Sequence, residues 1–168
     1  FDGDADRVVF SDEKGQLIDG DQIMALIATD WNERGLLRGK GIVSTLMSNI
    51  GLERYLEKHG LSLVRTSVGD RYVSETMRDE GFNVGGEQSG HIILSDYATV
   101  GDGLLTALQI LTVLSLKKKP ASEVLNLFIP LPQILKNVRA PSSCLQAPEM
   151  ERVFEEARRK LGKDGRIV

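Results

Sequence analysis

Asp2, Asp4 and Asp6 alternate through the opening segment FDGDADR. Alternate residues of an extended or turning segment can converge, so three carboxylates can be brought to one point. Left unneutralised in a small space they would repel one another strongly. A hard divalent cation such as magnesium instead favours oxygen ligands and shares its shell with phosphate and water. Gly3 and Ala5 leave room for close backbone approach, and Arg7 sets a planar fork suited to phosphate beside the acids. The segment is a candidate metal loop, with a solvated acidic turn as the plain alternative.

Two other chemistries compete for the same aspartates. Counted from Asp2 as position one, Asp4, Asp6 and Glu13 fall at positions three, five and twelve of a calcium EF-hand. Arg7 stands where that loop needs glycine for its sharp turn, and Val8-Val9-Phe10 reads as a strand where an exiting helix is required. In an aspartyl-phosphate phosphatase Asp2 would be the nucleophile and Asp4 the acid/base. That reading needs a partner lysine and later acids, which cannot be assigned.

Gly85-Gly86-Glu87-Gln88-Ser89-Gly90-His91 puts a carboxylate, an amide, a hydroxyl and an imidazole on one flexible loop. The set suits sugar hydroxyls: Glu87 can accept from two of them, Ser89 can donate or accept, and His91 belongs to the residue type that moves protons near neutrality. A polar turn between two edge strands would look the same in composition. Thr66-Ser67-Val68-Gly69-Asp70-Arg71-Tyr72 ends a strand in a hydroxyl-rich turn and opens a helix, where unpaired N–H groups attract phosphate. There Asp70 is expected as the N-cap and Arg71 as the anion contact. Ser44-Thr45-Leu46-Met47-Ser48-Asn49 is a weaker turn of the same kind. Asp102 reads as a helix N-cap, His59 as a helix-end residue, and Lys117 to Lys119 as a solvated helix end.

These loops need elements to hold them. The polar SDEKGQ turn between Val8-Val9-Phe10 and Leu17-Ile18 predicts a β-hairpin, and Asp19 or Asp21 caps a helix with apolar positions at Ile23, Met24, Ile27 and Trp31 until Gly35. Strands at Ile42 to Leu46 and Leu61 to Thr66 alternate with helices at Asn49 to His59 and Asp70 to Glu80. Phe82 to Val84 and Ile92 to Leu94 are further strands, and a long helix follows Asp102 to Leu116. The alternation predicts an α/β fold, a mixed sheet with helices on its faces. A short helix around Ser122 to Leu127 leads to the proline-marked IPLP segment, where a domain boundary is expected. Beyond it come a strand (Ile134 to Val138), a charged amphipathic helix (Glu149 to Leu161) and a strand starting at Arg166, as the beginning of a smaller α+β C-terminal domain.

The whole chain is compatible with this reading. Its 168 residues, 41% hydrophobic and 27% charged, suffice for one sizeable core and an accessory piece. A net charge of -3 argues against nucleic acid or an anionic membrane as the partner and leaves a small phosphorylated molecule open. Cys144, the one cysteine, fits a reducing compartment, and the cytoplasm is expected. Leu104 to Leu116 is too short and too interrupted to span a bilayer. A start at Phe1, with no signal-peptide pattern, reads as a cut from something longer.

FDGDADRVVF, TSVGDRYV, GGEQSGHII and GDGLLTALQ, in that order and approximate spacing, resemble the α-D-phosphohexomutase family over most of the chain. The resemblance implies that Asp2, Asp4 and Asp6 bind Mg2+, that Arg7 is directed at phosphate, and that Glu87, Ser89 and His91 belong to a sugar-binding loop. Gln88 tilts the implied sugar toward glucosamine, with mannose and glucose phosphates as the alternatives. The implied layout is residues 1–15 as the end of domain two, 16–130 as domain three and 131–168 as the start of domain four. The implied reaction passes a phosphoryl group from a phosphoserine to a sugar phosphate through a bisphosphate. The phosphoserine loop and a C-terminal phosphate-binding loop are expected outside these residues, so the segment alone is expected to be inactive.

Overall fold

In the computed structural model, which describes residues 1–137, 139, 141, 143–144, 147–162 and 165–167, the acidic opening leads into a short hairpin. Strands β1 (Phe10–Ser11) and β2 (Leu17–Ile18) pair antiparallel. Asp12 Oδ1 closes the turn by accepting from the Lys14 and Gln16 N–H groups at 2.9 and 2.8 Å. Val8, expected within the hairpin, is instead buried against the Gly90 strand end and donates its N–H to the Gly90 carbonyl at 3.1 Å.

Helix α1 (Gly20–Glu33) follows, capped by Asp19, whose Oδ1 accepts from the Gln22 N–H at 3.2 Å. Its apolar spacing predicts one buried stripe, yet every residue from Gly20 to Trp31 is buried. The reason is tertiary. The helix lies between the sheet on one side and helices α2 (Ile50–Lys58) and α4 (Gly103–Lys117) on the others. Two of its buried polar residues are hydrogen-bonded: Gln22 exchanges hydrogen bonds with the distant Phe128 carbonyl and Leu127 N–H, and the Thr29 hydroxyl bonds the Ala25 carbonyl at 2.9 Å.

The sheet has the order β4-β3-β5-β6, with β3 (Gly41–Thr45), β4 (Ser62–Thr66), β5 (Val84–Gly86) and β6 (Ile92–Leu94). β3 pairs parallel with both β4 and β5, and β5 pairs antiparallel with β6, the mixed sheet expected. β3 is buried along its length, as a central parallel strand covered on both faces must be. One face carries the larger core of Ile18, Ile23, Ile27, Ile42, Leu52, Leu56 and Ile110. Helix α3 (Asp70–Glu80) covers the other through Val73 and Met77, which meet Val43, Phe82 and Ile93. The short helix α5 (Ala121–Val124) then returns the chain toward Leu131.

The chain divides into two compact units, Phe1–Leu131 and Pro132–Val168. Within the second, helix α6 (Pro148–Leu161) starts on a proline with Glu149 and Glu151 in its first turn and ends with Arg158, Arg159 and Lys160, which suits the helix dipole at both ends. Residues 134–137 do not form the strand expected there, and neither do Arg166 and Ile167. Among the described residues of this unit no neighbouring strand supplies a ladder for their backbone groups. Val138 and Val168, the ends of those two expected strands, lie outside the described residues.

Candidate active site

Parallel strands β3, β4 and β5 end at one edge of the sheet, and the turns that follow them carry the Ser44–Asn49, Thr66–Gly69 and Gly86–His91 segments. Carboxyl ends of parallel strands are where α/β sheets place their ligands, because the loops there are free of the ladder while the strands hold their ends still. The Asp2–Asp6 loop reaches this edge from outside the sheet. Arg7 forms an antiparallel bridge with His91, and Val8 bonds Gly90, so the backbone after the aspartates is laid alongside β6. Gly90 has φ +94°, and a Cβ there would run into the Val8 carbonyl. Only glycine tolerates both.

Asp2, Asp4 and Asp6 each offer an oxygen within 4.8 Å of the others. A magnesium shell at about 2.1 Å places its oxygens about 3 to 4.2 Å apart, so small side-chain rotations bring this set into range. Asp6 Oδ1 is buried with no hydrogen-bond partner, the chemistry of an oxygen that can accept a hydrogen bond or ligate a cation. Partial burial, and then the charge of Asp4, pushes the Asp6 carboxyl above the ordinary aspartate range, while His91 opposes the rise. At Asp2 burial acts upward as well but is outweighed by the Arg7 N–H, which donates to Oδ1 at 3.2 Å, and by Asp6, so Asp2 falls below its ordinary value. Opposite shifts on two carboxyls in contact mark an interacting pair whose mutual repulsion a divalent cation would relieve. The residues fit a hard cation. The Arg7 guanidinium stands 3.8 Å from Asp2 and 3.9 Å from Asp6, with half its side chain exposed toward the same mouth.

His91 is buried, and its Nε2 lies 3.3 Å from Asp6 Oδ2 and 4.0 Å from Asp70 Oδ2. Gly101 packs on its ring so closely that a Cβ would overlap Nε2 and Cε1. Gly103, at the start of α4, donates its N–H to the Ala5 carbonyl at 3.0 Å and also lacks room for a Cβ. The GDG turn, which sequence reading took only as the Asp102 cap, therefore does two things. Asp102 Oδ1 accepts from the Leu105 N–H at 2.8 Å, while Gly101 packs on the imidazole and Gly103 on the Ala5–Arg7 backbone. Two glycines flanking an N-cap were the available signal.

The other expected residues are placed as follows. Glu87 is half-buried, with Oε1 accepting from the Gly69 N–H at 3.2 Å. Gln88 is tied to the start of α1, its carbonyl to the Gly20 N–H and its amide to Asp19 Oδ2 at 3.1 Å. Ser89 is exposed at the loop tip. The N-cap of α3 is Gly69 and not Asp70. Asp70 is the first helical residue, and its carboxylate takes the Arg71 N–H at 2.7 Å and faces His91. The Arg71 guanidinium lies outside this cluster, on the helix surface, paired with Glu75 at 2.8 Å one turn on.

Residues 19–130 match the family model for phosphoglucomutase/phosphomannomutase, alpha/beta/alpha domain III. The chain belongs to this family. Over its whole length it is 61% identical to the phosphoglucosamine mutase of Beijerinckia indica and 58% identical to that of Parvibaculum lavamentivorans, in each case covering 38% of the relative. The chain thus spans about two-fifths of the length of the curated relatives it matches. Among solved structures it is similar to N-acetylphosphoglucosamine mutase of Aspergillus fumigatus (TM-score 0.76, 25% identity, 95% of this chain and 40% of that one). The same fungal enzyme in complex with GlcNAc-6P and magnesium matches at TM-score 0.63 and 26% identity, over 79% of this chain and 35% of that one. No helix among the described residues is long and apolar enough to cross a membrane.

Proposed function

We propose that this segment supplies the metal loop and the sugar-facing loop of a cytoplasmic phosphohexose mutase that interconverts glucosamine 6-phosphate and glucosamine 1-phosphate. The observation that carries the reading is the meeting of the two loops at Asp6 and His91, 3.3 Å apart, at the carboxyl edge of the sheet. Three clustered carboxylates alone suit many cations. Beside an arginine fork and a loop bearing Glu87, Ser89 and His91, they suit a sugar phosphate. The two phosphoglucosamine mutases at 61% and 58% identity support the amino-sugar substrate.

Asp2, Asp4 and Asp6 would hold Mg2+, which when bound supplies positive charge next to a phosphoryl group in transfer. Arg7 adds a fixed positive charge at the mouth of the site and directs phosphate oxygens toward it. Glu87, held by the Gly69 N–H, keeps its second oxygen for sugar hydroxyls. Ser89 offers a hydroxyl at the loop tip, and Gln88 fixes the loop to α1. His91 Nε2–H donated to Asp6 Oδ2 would leave Oδ1 for the cation, the way a second layer of residues orients metal ligands. A proton-moving role at the accepting hydroxyl would compete with that donation. Arg71 can reach an anion only by leaving Glu75. The phosphoserine and the remaining phosphate contacts would come from sequence outside these residues, in domains flanking residues 16–130.

The deciding experiment compares kcat/KM of a full-length protein carrying this segment on the 6-phosphates of glucosamine, mannose and glucose, with and without Mg2+. Preference for glucosamine 6-phosphate and loss of turnover on chelation are expected. Preference for the mannose or glucose ester would assign the segment to the other mutases of the family, and a hydroxylamine-labile acyl-phosphate on Asp2 would replace the mutase reading with a phosphatase.

A further inference from the structure

Behind the sugar-facing loop lies a row of buried polar side chains that the mutase reading does not use. Ser44, at the end of β3, donates its hydroxyl to the Gly86 carbonyl at 2.7 Å, and its oxygen is 2.5 Å from the Ser48 hydroxyl. Both serines are fully buried. Next comes Asp21 in the first turn of α1, also buried, whose Oδ2 accepts from the Asn49 N–H at 2.7 Å. Gly86 is the residue before Glu87. The row therefore ends on the peptide that launches the loop.

We propose that Asp21, Ser48 and Ser44 form a positioning row that sets the Gly86–Glu87 peptide, and through it the carboxylate that receives the sugar. Proton counting gives the row a direction. Each hydroxyl has one proton. Ser44 spends its proton on the Gly86 carbonyl, so its oxygen can only accept from Ser48. Asp21 joins the row through the backbone, its Oδ2 holding the N–H of Asn49, the residue after Ser48.

The electrostatics agree. Burial pushes the Asp21 carboxyl up to about 6, and the Asn49 N–H and Ser48 hydroxyl offset this only in part. Of the charged groups around it, Asp19 on the same helix raises it and Arg65 on β4 lowers it. Arg65 is largely occupied by Glu53 at 2.9 Å and the Ser48 carbonyl at 2.9 Å. The first turn of α1 thus holds the loop twice, at Gln88 directly through Gly20 and Asp19, and at Gly86 through the row. Buried networks of this kind rigidify when every member is satisfied and are costly when one is missing.

The proposal rests on the mutase reading, and its test separates the two. In a full-length mutase carrying this segment, Ser44→Ala is expected to raise KM for the sugar phosphate about five- to ten-fold with a smaller change in kcat and no change in Mg2+ affinity. Asp21→Ala should do the same. Asp21→Asn, which keeps an acceptor for the Asn49 N–H, should recover most of that loss. If Ser44→Ala does not fold, Ser48→Ala, which removes only the middle hydroxyl, decides. Folded variants with wild-type KM would overturn the positioning role even if stability falls, whereas absence of mutase turnover in the wild-type protein would overturn the mutase reading instead.

Discussion

His91 Nε2 lies 3.3 Å from Asp6 Oδ2, so the imidazole ending the Gly85–His91 loop touches a carboxylate of the Asp2–Asp6 loop across 85 residues of chain. If this contact orients Asp6, His91→Ala should weaken Mg2+ binding about ten- to a hundred-fold, the usual scale for removing a residue that orients a metal ligand. Calorimetric titration checks this. In the full-length enzyme turnover should fall with it, and a His91→Ala enzyme with full turnover would exclude both the orienting and the proton role.

Metal uptake should release protons. Because the Asp6 carboxyl is raised, it takes up a proton at higher pH than an ordinary aspartate, and a cation must displace that proton, so Mg2+ affinity should fall as pH falls through the Asp6 titration. Titration in buffers of different ionisation enthalpy reads the released proton directly. The segment alone should bind Mg2+ weakly, since its phosphate partner is absent. Tight calcium uptake would instead favour the EF-hand reading.

The 168-residue segment should show no mutase turnover by itself. The chain spans about two-fifths of its relatives' length, and in the proposed reading the phosphoserine comes from sequence outside it. Sustained conversion of glucosamine 6-phosphate by a clean preparation would contradict this.

Gly101→Ala should disturb the site more than its size suggests. The added methyl must displace the His91 ring, which is buried and cannot retreat into solvent. Overpacking of this kind costs about 1–3 kcal/mol, and it should be accompanied by weaker Mg2+ binding as His91 leaves Asp6. Denaturant melts and metal titration of the same variant test the two effects together.

Stability should depend on pH through Asp21. Its folded value, about 6, lies above the ordinary 3.8, so the native state holds a proton that the unfolded chain has already lost. The stabilisation is complete below the unfolded value and is lost as pH rises through the folded one, a difference of about 3 kcal/mol across that window. Asp21→Asn should flatten this part of the profile. The comparison is made by denaturant unfolding of both chains between pH 4 and pH 7, ranges of roughly this width being what linkage predicts.

Much of the fold was legible because local patterns and tertiary demands coincide. Asn49, Gly81 and Asp102 sit at helix ends in the structure as their residue types predict. The β3 run became a strand buried along its length at the centre of the sheet, while β4, with Ser62, Arg65 and Thr66, became the less buried edge strand beside it. Where the readings diverged, a long-range partner decided. Asp70 reads as a cap, but its carboxylate turns toward His91, and the cap position passes to Gly69. Val8 reads as part of a hairpin and pairs with Gly90 instead. Residues 134–137 have strand-like composition, and among the described residues no neighbouring strand gives them a ladder.

By itself the sequence determined the chemistry on offer: three alternating carboxylates, an arginine beside them, a loop of sugar-suited polar groups, and a strand-helix alternation to carry it. These depend on residue type and short spacing, which the chain cannot rearrange. Only the tertiary structure decided that the two loops meet, that Gly101 and Gly103 pack against them, and that Asp21, which reads as a possible helix cap, is a buried acid behind the loop. Those outcomes depend on which distant segments meet at the sheet edge and on how much water remains there, and neither is encoded within any single stretch of the chain.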